Sequence, residues 1–116
     1  MSVFSPQSRA ELKIAVEDLL RFSSDGSMKL NGPISEWDVT QVTDMTRMFH
    51  MIGFNYDLSK WDVSRVSNMA AMFAYARAFN QDLSKWDVSH VTNMVMMFNN
   101  AESFNQDIAP PRGGGW

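Results

Sequence analysis

Apolar residues recur along this chain with a period of 24 or 25 residues. The copy from Phe79 to Phe98 reads FNQDLSKWDVSHVTNMVMMF, and the copy from Phe54 to Phe73 is nearly identical. Two aromatic positions mark the period in all three copies: Trp37, Trp61 and Trp86, then Phe49, Phe73 and Phe98. A repeat of this length predicts units that cannot bury their apolar faces alone and that stack to share one core.

Within each unit the spacing of the apolar positions changes. Leu58, Trp61 and Val63 are spaced as in a short strand with one buried face. Positions at spacings of three and four follow and predict a short helix, namely Val66, Met69, Met72, Phe73 and Ala76. Ser67, Thr43 and Thr92 are suitable N-caps for the three helices. The expected fold class is therefore α/β, a leucine-rich-repeat-like solenoid of short parallel strands and short helices with an N-terminal capping helix.

The ends of the chain are expected to differ from the repeats. Residues Pro6 to Phe22 read as an amphipathic helix, with Ser8 three residues before Glu11 as in a capping box. The predicted organisation is a capping helix and linker over 1–29, a solenoid of three full units and a partial fourth over 30–109, and a flexible tail over 110–116. Pro111 stands where the fourth tryptophan is expected.

Composition narrows the class of protein. The 116 residues include 45% hydrophobic and 20% charged residues, which is ordinary globular usage. Ten basic and thirteen acidic residues give a formal net charge of −3, the opposite of the bias typical of nucleic-acid binding. The chain has no cysteine, so disulfides and thiolate chemistry are excluded. No export signal or membrane span is visible, so the compartment is undetermined, cytoplasmic or organellar by default.

The repeated segments WDVSRVSNMAAMF and FNQDLSKWDVSHVTNMVMMF resemble the BspA-like bacterial surface protein repeats. Similar repeats occur in Mycoplasma-type lipoproteins and in many proteins of algae and protists. The resemblance covers about residues 30 to 108 and implies a leucine-rich-repeat-like solenoid. In bacterial relatives it implies surface display, adhesion or protein binding. The chain lacks the signal peptide and lipobox cysteine of the bacterial pattern.

A row of polar side chains is expected on the outer side of the predicted strands. If Trp61 and Val63 face the core, the residues that alternate with them face outward. This candidate partner-binding surface, called the polar row below, comprises Glu36, Asp38, Thr40, Lys60, Asp62, Ser64, Lys85, Asp87 and Ser89. Three interpretations stay open: a solvated face, a recognition surface, or aspartates that accept hydrogen bonds from turn amides. Lys60 and Lys85 are expected to lie between the aspartates as lateral partners.

Two other repeated sets have simpler structural interpretations. Asn55, Asn80 and Asn105, each two residues before an aspartate, could offer oxygen ligands for calcium, but turn formation is favoured. The methionine pairs at 45/48, 69/72 and 94/97 invite comparison with adaptable methionine-rich binding grooves. Because their helical spacing places them beside the repeated phenylalanines, they are expected to fill the core instead.

Catalytic chemistry is poorly represented. His50 and His90 are the two histidines, and neither has the spacing of a metal pair. No phosphate loop or strained serine turn appears, and repeated carboxylates would share one environment rather than take distinct acid and base roles. We therefore expect no enzyme activity, no metal and no cofactor.

The expected function is non-enzymatic recognition of a protein, or of a glycan, through the strand face. The alternative is a structural or accessory subunit that self-associates or docks through an open C-terminal edge, where Phe104 and Ile108 are apolar. A protein partner is favoured, with no nucleic acid and no membrane insertion.

Overall fold

The computed structural model describes residues 3–22 and 31–106, with Phe22 described by its backbone only. Its one α-helix, α1, spans Arg9–Phe22, and a short 3₁₀ helix spans Ile34–Glu36. The rest of the described chain consists of turns and extended segments. The expected linker, the end of the partial fourth unit and the tail fall on residues 23–30 and 107–116, outside the described residues.

Helix α1 begins three residues later than predicted because Ser8 caps it. The Ser8 Oγ accepts the Glu11 N–H at 3.2 Å, and the Glu11 carboxylate accepts the Gln7 N–H at 2.9 Å, as in a capping box shifted by one residue. Pro6 lies before the helix and is buried. The predicted apolar stripe is confirmed, since its central residues are buried: Leu12, Ala15, Val16 and Leu19.

The prediction of an α/β solenoid of parallel strands and helices is wrong. Within residues 31–106 no strand or α-helix forms in the repeats, and β-bridges between units are limited to two isolated parallel ones, Asp44 with Asn68 and Asn68 with Asn93. These bridges lie at the start of the segment predicted to be helical. The Leu-x-x-Trp-x-Val segment, predicted to be the strand, is folded into turns instead, with the Trp61 N–H donating to Leu58 O at 3.1 Å.

The destinations of the backbone N–H groups explain why no helix forms. The three units comprise residues 33–56, 57–81 and 82–106. In the second unit alternate residues, such as Met72 and Ala74, donate to the carbonyl three residues back. The residue between them, Phe73, donates to the next unit instead, to Met97 O at 2.9 Å. An α-helix needs each N–H for the carbonyl four residues back. N–H groups that donate to another unit therefore exclude an α-helix here. Successive four-residue turns still bring apolar residues inward at spacings of three and four, which resembles the period of a helix.

Positive φ angles keep these turns from winding into a helix. They occur at two positions in each unit, and five of the six residues are neither glycine nor asparagine: Arg47, Met51, Ala71, Tyr75, Met96 and Asn100. Arg47 is third in the turn closed by the Met48 N–H on Met45 O, the position at which a type II turn requires positive φ.

The predicted core is confirmed. Trp37 and Trp61 are each 3% exposed and Trp86 is 7% exposed, so all three indoles point inward. Five of the six paired methionines are also buried, as expected of core filler. The phenylalanines of successive units form a column, in which Phe73 stacks on Phe49 at 5.4 Å and on Phe98 at 5.6 Å between ring centroids.

Candidate functional site

The two ends of the stack of units differ in their backbone chemistry. Most backbone bonds between units run from an N–H group to a carbonyl of the unit that follows, as in the bonds from Arg47 to Ala70 O and from Ala71 to Val95 O. One bond in each contact runs the other way, from Ser67 N to Thr43 O and from Thr92 N to Ser67 O. The first unit is therefore left with carbonyls that face no preceding unit. The third unit is left with N–H groups that face no following unit. Unpaired backbone groups need a partner, which makes both ends candidate contact surfaces.

Helix α1 covers the carbonyl end. The Arg9 Nε donates to Thr46 O at 2.8 Å, and the Lys13 Nζ donates to Met48 O at 3.0 Å. Thr46 and Met48 hold the register positions whose counterparts, Ala70 and Met72, accept backbone N–H groups from the first unit. Two basic side chains thus replace the amides of a preceding unit.

The position of Lys13 at this end disfavours the charged form of its side chain. Partial burial lowers the pKa of its ammonium group, although the nearby Glu17 carboxylate acts in the opposite direction. The N-terminal segment also contacts the first unit through Phe4, whose carbonyl accepts the Asp38 N–H at 2.9 Å and whose ring packs edge-on against Trp37. These contacts show how the N-terminal region caps the first unit, as predicted.

At the opposite end, the third unit retains N–H groups without acceptors among the described residues. Met94, Met96 and Asn100 stand in register with Met69, Ala71 and Tyr75, all of which donate to the following unit. No acceptor for these three N–H groups lies within residues 3–22 and 31–106. Water or a second polypeptide supplies the acceptors at this edge.

The third unit also carries a set of apolar side chains at the end of the core. They are half-buried, whereas their counterparts one unit earlier are fully buried. We call this set the C-terminal face: Val88, Val91, Met94, Phe98 and Phe104. For comparison, Val63 and Val66 are 1% and 0% exposed. The C-terminal face therefore has the composition of an inter-unit contact.

Trp61 and Trp86 also join their units to the preceding one. The Trp61 Nε1 donates to Ile34 O at 2.8 Å, and the Trp86 Nε1 donates to Leu58 O at 2.9 Å. The carbonyl oxygen of Leu83 occupies the equivalent position in the third unit. Within the described part of the chain, Leu83 O accepts the N–H of Trp86 in its own turn and no indole from a later unit.

A second side-chain ladder connects the units on the surface. Asn55 Oδ1 accepts the Asn80 N–H at 2.7 Å and the Gln81 Nε2 at 3.1 Å. The same pattern repeats one unit later, where Asn80 Oδ1 accepts from Asn105 N and Gln106 Nε2. Sequence reasoning assigned these asparagines to local turns and missed the ladder. The signal was an exposed amide side chain repeated at a fixed spacing, since such side chains can stack across units.

The polar row lies on the surface. Its lysines, aspartates and Glu36 are exposed, as is Ser89, while Thr40 and Ser64 are half-buried. Each aspartate accepts a hydrogen bond from the residue two positions later, as in the 3.0 Å contacts of Asp62 with the Ser64 N–H and of Asp87 with the Ser89 N–H. Of the three interpretations left open by the sequence, these contacts match the one in which aspartates hold turns.

These hydrogen bonds also govern the acidity of the aspartates. The hydroxyl and amide of Thr40 lower the pKa of Asp38, and those of Ser64 lower the pKa of Asp62. Burial opposes ionisation of Asp44, but the bonds from Thr46 outweigh it, so the pKa of Asp44 is also lowered. Each of these carboxyl groups therefore loses its proton at a lower pH than an ordinary aspartate does.

Lys60 and Lys85 are not the charges that act on Asp38 and Asp62. Lys60 acts electrostatically on Asp57, and Lys85 on Asp82, the aspartates of the turns that precede their tryptophans. The cation that acts on Asp38 and Asp62 is Arg65.

Within the residues the structure describes, no group of three or more histidine, aspartate or glutamate side chains is placed to hold a metal ion. The oxygens proposed as calcium ligands have other partners: Asp57 Oδ1 accepts the Ser59 N–H at 2.9 Å, and Asn55 takes part in the surface ladder. His50 packs edge-on against the ring of Tyr75. Over the same residues, no helix has the length and apolar character needed to cross a membrane.

A family model described as "Mycoplasma protein of unknown function, DUF285" matches residues 18–111. The chain belongs to this family. The match covers every repeat unit, so membership in this Mycoplasma repeat family agrees with the repeats seen in the sequence. No curated protein and no solved structure matches the chain. The family description assigns no function, so any activity must be argued from the surfaces described above.

Proposed function

We propose that this chain is a non-enzymatic repeat module that binds another protein through its C-terminal face. The observation that carries the proposal is the change in burial along the stack. Apolar positions that are fully buried in the second unit are half-buried in the third, and the N–H groups beside them lack acceptors within the described residues. Apolar area next to unpaired backbone groups is typical of a surface that a second polypeptide covers.

The resemblance to BspA-like repeats supports the same class of function, because bacterial members of that group are associated with surface display, adhesion and protein binding. Membership in the BspA-like group itself is part of the proposal. The absence of a catalytic constellation in the sequence favours binding over catalysis.

The polar row is a second candidate surface, for a protein or a glycan. Its three aspartates are exposed in successive units, and the charge of Asp87 acts on Asp62, which places neighbouring carboxylates within electrostatic range. Against this candidate, one oxygen of each aspartate already holds a turn.

The experiment compares three double variants in affinity capture from the source organism, followed by reconstitution with the purified partner. Val88→Glu plus Val91→Glu places charge on the C-terminal face. Asp62→Lys plus Asp87→Lys alters the polar row. Ile14→Glu plus Met51→Glu is the matched control, since Ile14 and Met51 are 60% and 70% exposed and lie on α1 and in the first unit.

We expect the Val88/Val91 variant to lose the partner while the other two retain it. Loss in the polar-row variant alone would transfer the proposal to that surface. Binding that survives both changes would contradict both assignments. If the glutamate pair unfolds the chain, as judged by fluorescence of the buried tryptophans, Val88→Thr plus Val91→Thr repeats the test with side chains of nearly the same shape.

A further inference from the structure

We infer that the partner of the C-terminal face is a repeat unit of this same type, carried by a separate polypeptide. This inference rests on the proposed function and adds the chemistry of the occupant. The contact between the second and third units supports it, because the C-terminal face offers the same groups in the same register.

Three features of the established contact reappear at the C-terminal face. Backbone donors are present at Met94, Met96 and Asn100, where the second unit uses Met69, Ala71 and Tyr75. An apolar wall is present, and the Phe98 and Phe104 rings stack at 4.2 Å, as Phe73 and Phe79 do one unit earlier.

The third feature is a pair of acceptors. Leu83 O corresponds to Leu58 O, which accepts the Trp86 indole, and Asn105 corresponds to Asn80, which accepts an amide and a glutamine side chain. A segment that meets all of these groups must supply backbone carbonyls in alternate positions, a tryptophan N–H and an Asn-Gln pair. That set of groups describes one further unit of the repeat.

Hydrogen-bond polarity disfavours a second copy of this chain as the occupant. The third unit offers the donors of Met94, Met96 and Asn100 and, in the register of Thr43 O and Ser67 O, the acceptor Thr92 O. Because donors outnumber this acceptor, two C-terminal faces brought together would set mostly N–H groups against N–H groups. At the carbonyl end of a second copy, Thr46 O and Met48 O already accept from Arg9 and Lys13 of α1, so head-to-tail contact would have to displace these two bonds. The occupant must therefore present a carbonyl edge without such a cap. Residues 107–116 do not repeat the pattern, since Pro111 stands at the tryptophan position.

The test follows amide hydrogen exchange by NMR in the full chain. In the first arm, a peptide with the sequence of residues 82–106 is added. We expect slower exchange of the Met94, Met96 and Asn100 amides, and binding that is weakened at least about tenfold by Val88→Glu plus Val91→Glu, equivalent to about 1.4 kcal/mol. The control variant, Ile14→Glu plus Met51→Glu, should bind the peptide as the natural chain does.

In the second arm, a copy of residues 82–106 is inserted after Gln106, which keeps the register because Asp107 corresponds to Asp82. We expect protection of the same three amides. A matched insert in which the new tryptophan and leucine are replaced by serine should give none.

Each result bears on the inference. Protection in the insert without protection by the free peptide would overturn the assignment to a separate polypeptide. Protection in neither arm would overturn the docking geometry. In light scattering without peptide, an average molar mass that rises with chain concentration would identify a second copy as the occupant and overturn the inference. A captured partner that depends on Val88 and Val91 but lacks the repeat would also overturn it, while leaving the proposed function intact.

Discussion

Replacing Trp61 by phenylalanine tests whether the tryptophans connect the units or merely fill the core. The Trp61 indole is 3% exposed, and its Nε1 donates to Ile34 O, 27 residues earlier, at 2.8 Å. Phenylalanine keeps an aromatic ring at this position but removes the donor and part of the packed surface.

The expected loss of unfolding free energy follows from these contacts. A hydrogen bond contributes about 1 kcal/mol net. Ile34 O also accepts the Trp37 N–H at 3.2 Å, so the carbonyl is not orphaned and the larger penalty for an unpaired group does not apply. The smaller ring forfeits about 1 kcal/mol more through lost apolar burial. We therefore expect a loss of about 2 kcal/mol for Trp61→Phe, and a smaller one for Trp86→Phe, since Trp86 is more exposed.

The assay is urea unfolding followed by fluorescence of the remaining tryptophans. A loss of about 2 kcal/mol corresponds to a midpoint shift of about 1 M urea. A synthetic chain with 3-benzothienylalanine at position 61 isolates the hydrogen bond, because sulfur replaces the indole N–H at nearly the same shape; we expect a loss of about 1 kcal/mol. An unchanged midpoint for this analogue would refute the inter-unit role of the indole N–H.

Three further outcomes follow from the polar contacts. Asn80→Ala should lower stability by about 1 kcal/mol in urea unfolding, whereas Asn80→Asp, which keeps the acceptor for Asn105 N, should not; equal losses would contradict the ladder. Asp62 has a pKa below its ordinary value, so its stabilising effect is present above about pH 4 and falls as pH drops through the lowered value; Asp62→Asn should flatten acid unfolding. Lys13 has a lowered pKa, so stability should rise with pH above that value and below about 10.4, and Lys13→Met should abolish the rise.

The sequence predicted the period, the inward tryptophans and the methionine-rich core, because burial depends on the spacing of apolar residues. It did not predict the local structure. Spacings of two and of three or four arise from strands and helices, and here they arise from turns. The difference lies in where the N–H groups of Met69 and Ala71 bond, and those bonds run to another unit.

The positive φ angles also could not be predicted from the sequence. Residues such as Met51 and Tyr75 rarely adopt this conformation, so neither side chain signals it. The structure also favours a different binding surface from the one that the sequence favoured. The sequence favoured the polar row, where the aspartates hold their own turns. The open C-terminal edge was the alternative. The direction of the hydrogen bonds at that edge could be read only from the structure.

The central claim is that most backbone bonds between units run from an N–H group to the unit that follows, and that Met94, Met96 and Asn100 of the third unit have no acceptor among the described residues. Residue-resolved amide exchange of the free chain tests it most directly. We predict slow exchange at Met69 and Ala71 and exchange at least about tenfold faster at Met94 and Met96, their counterparts in the third unit. Equal protection at both pairs, or fast exchange at Met69 and Ala71, would contradict the account.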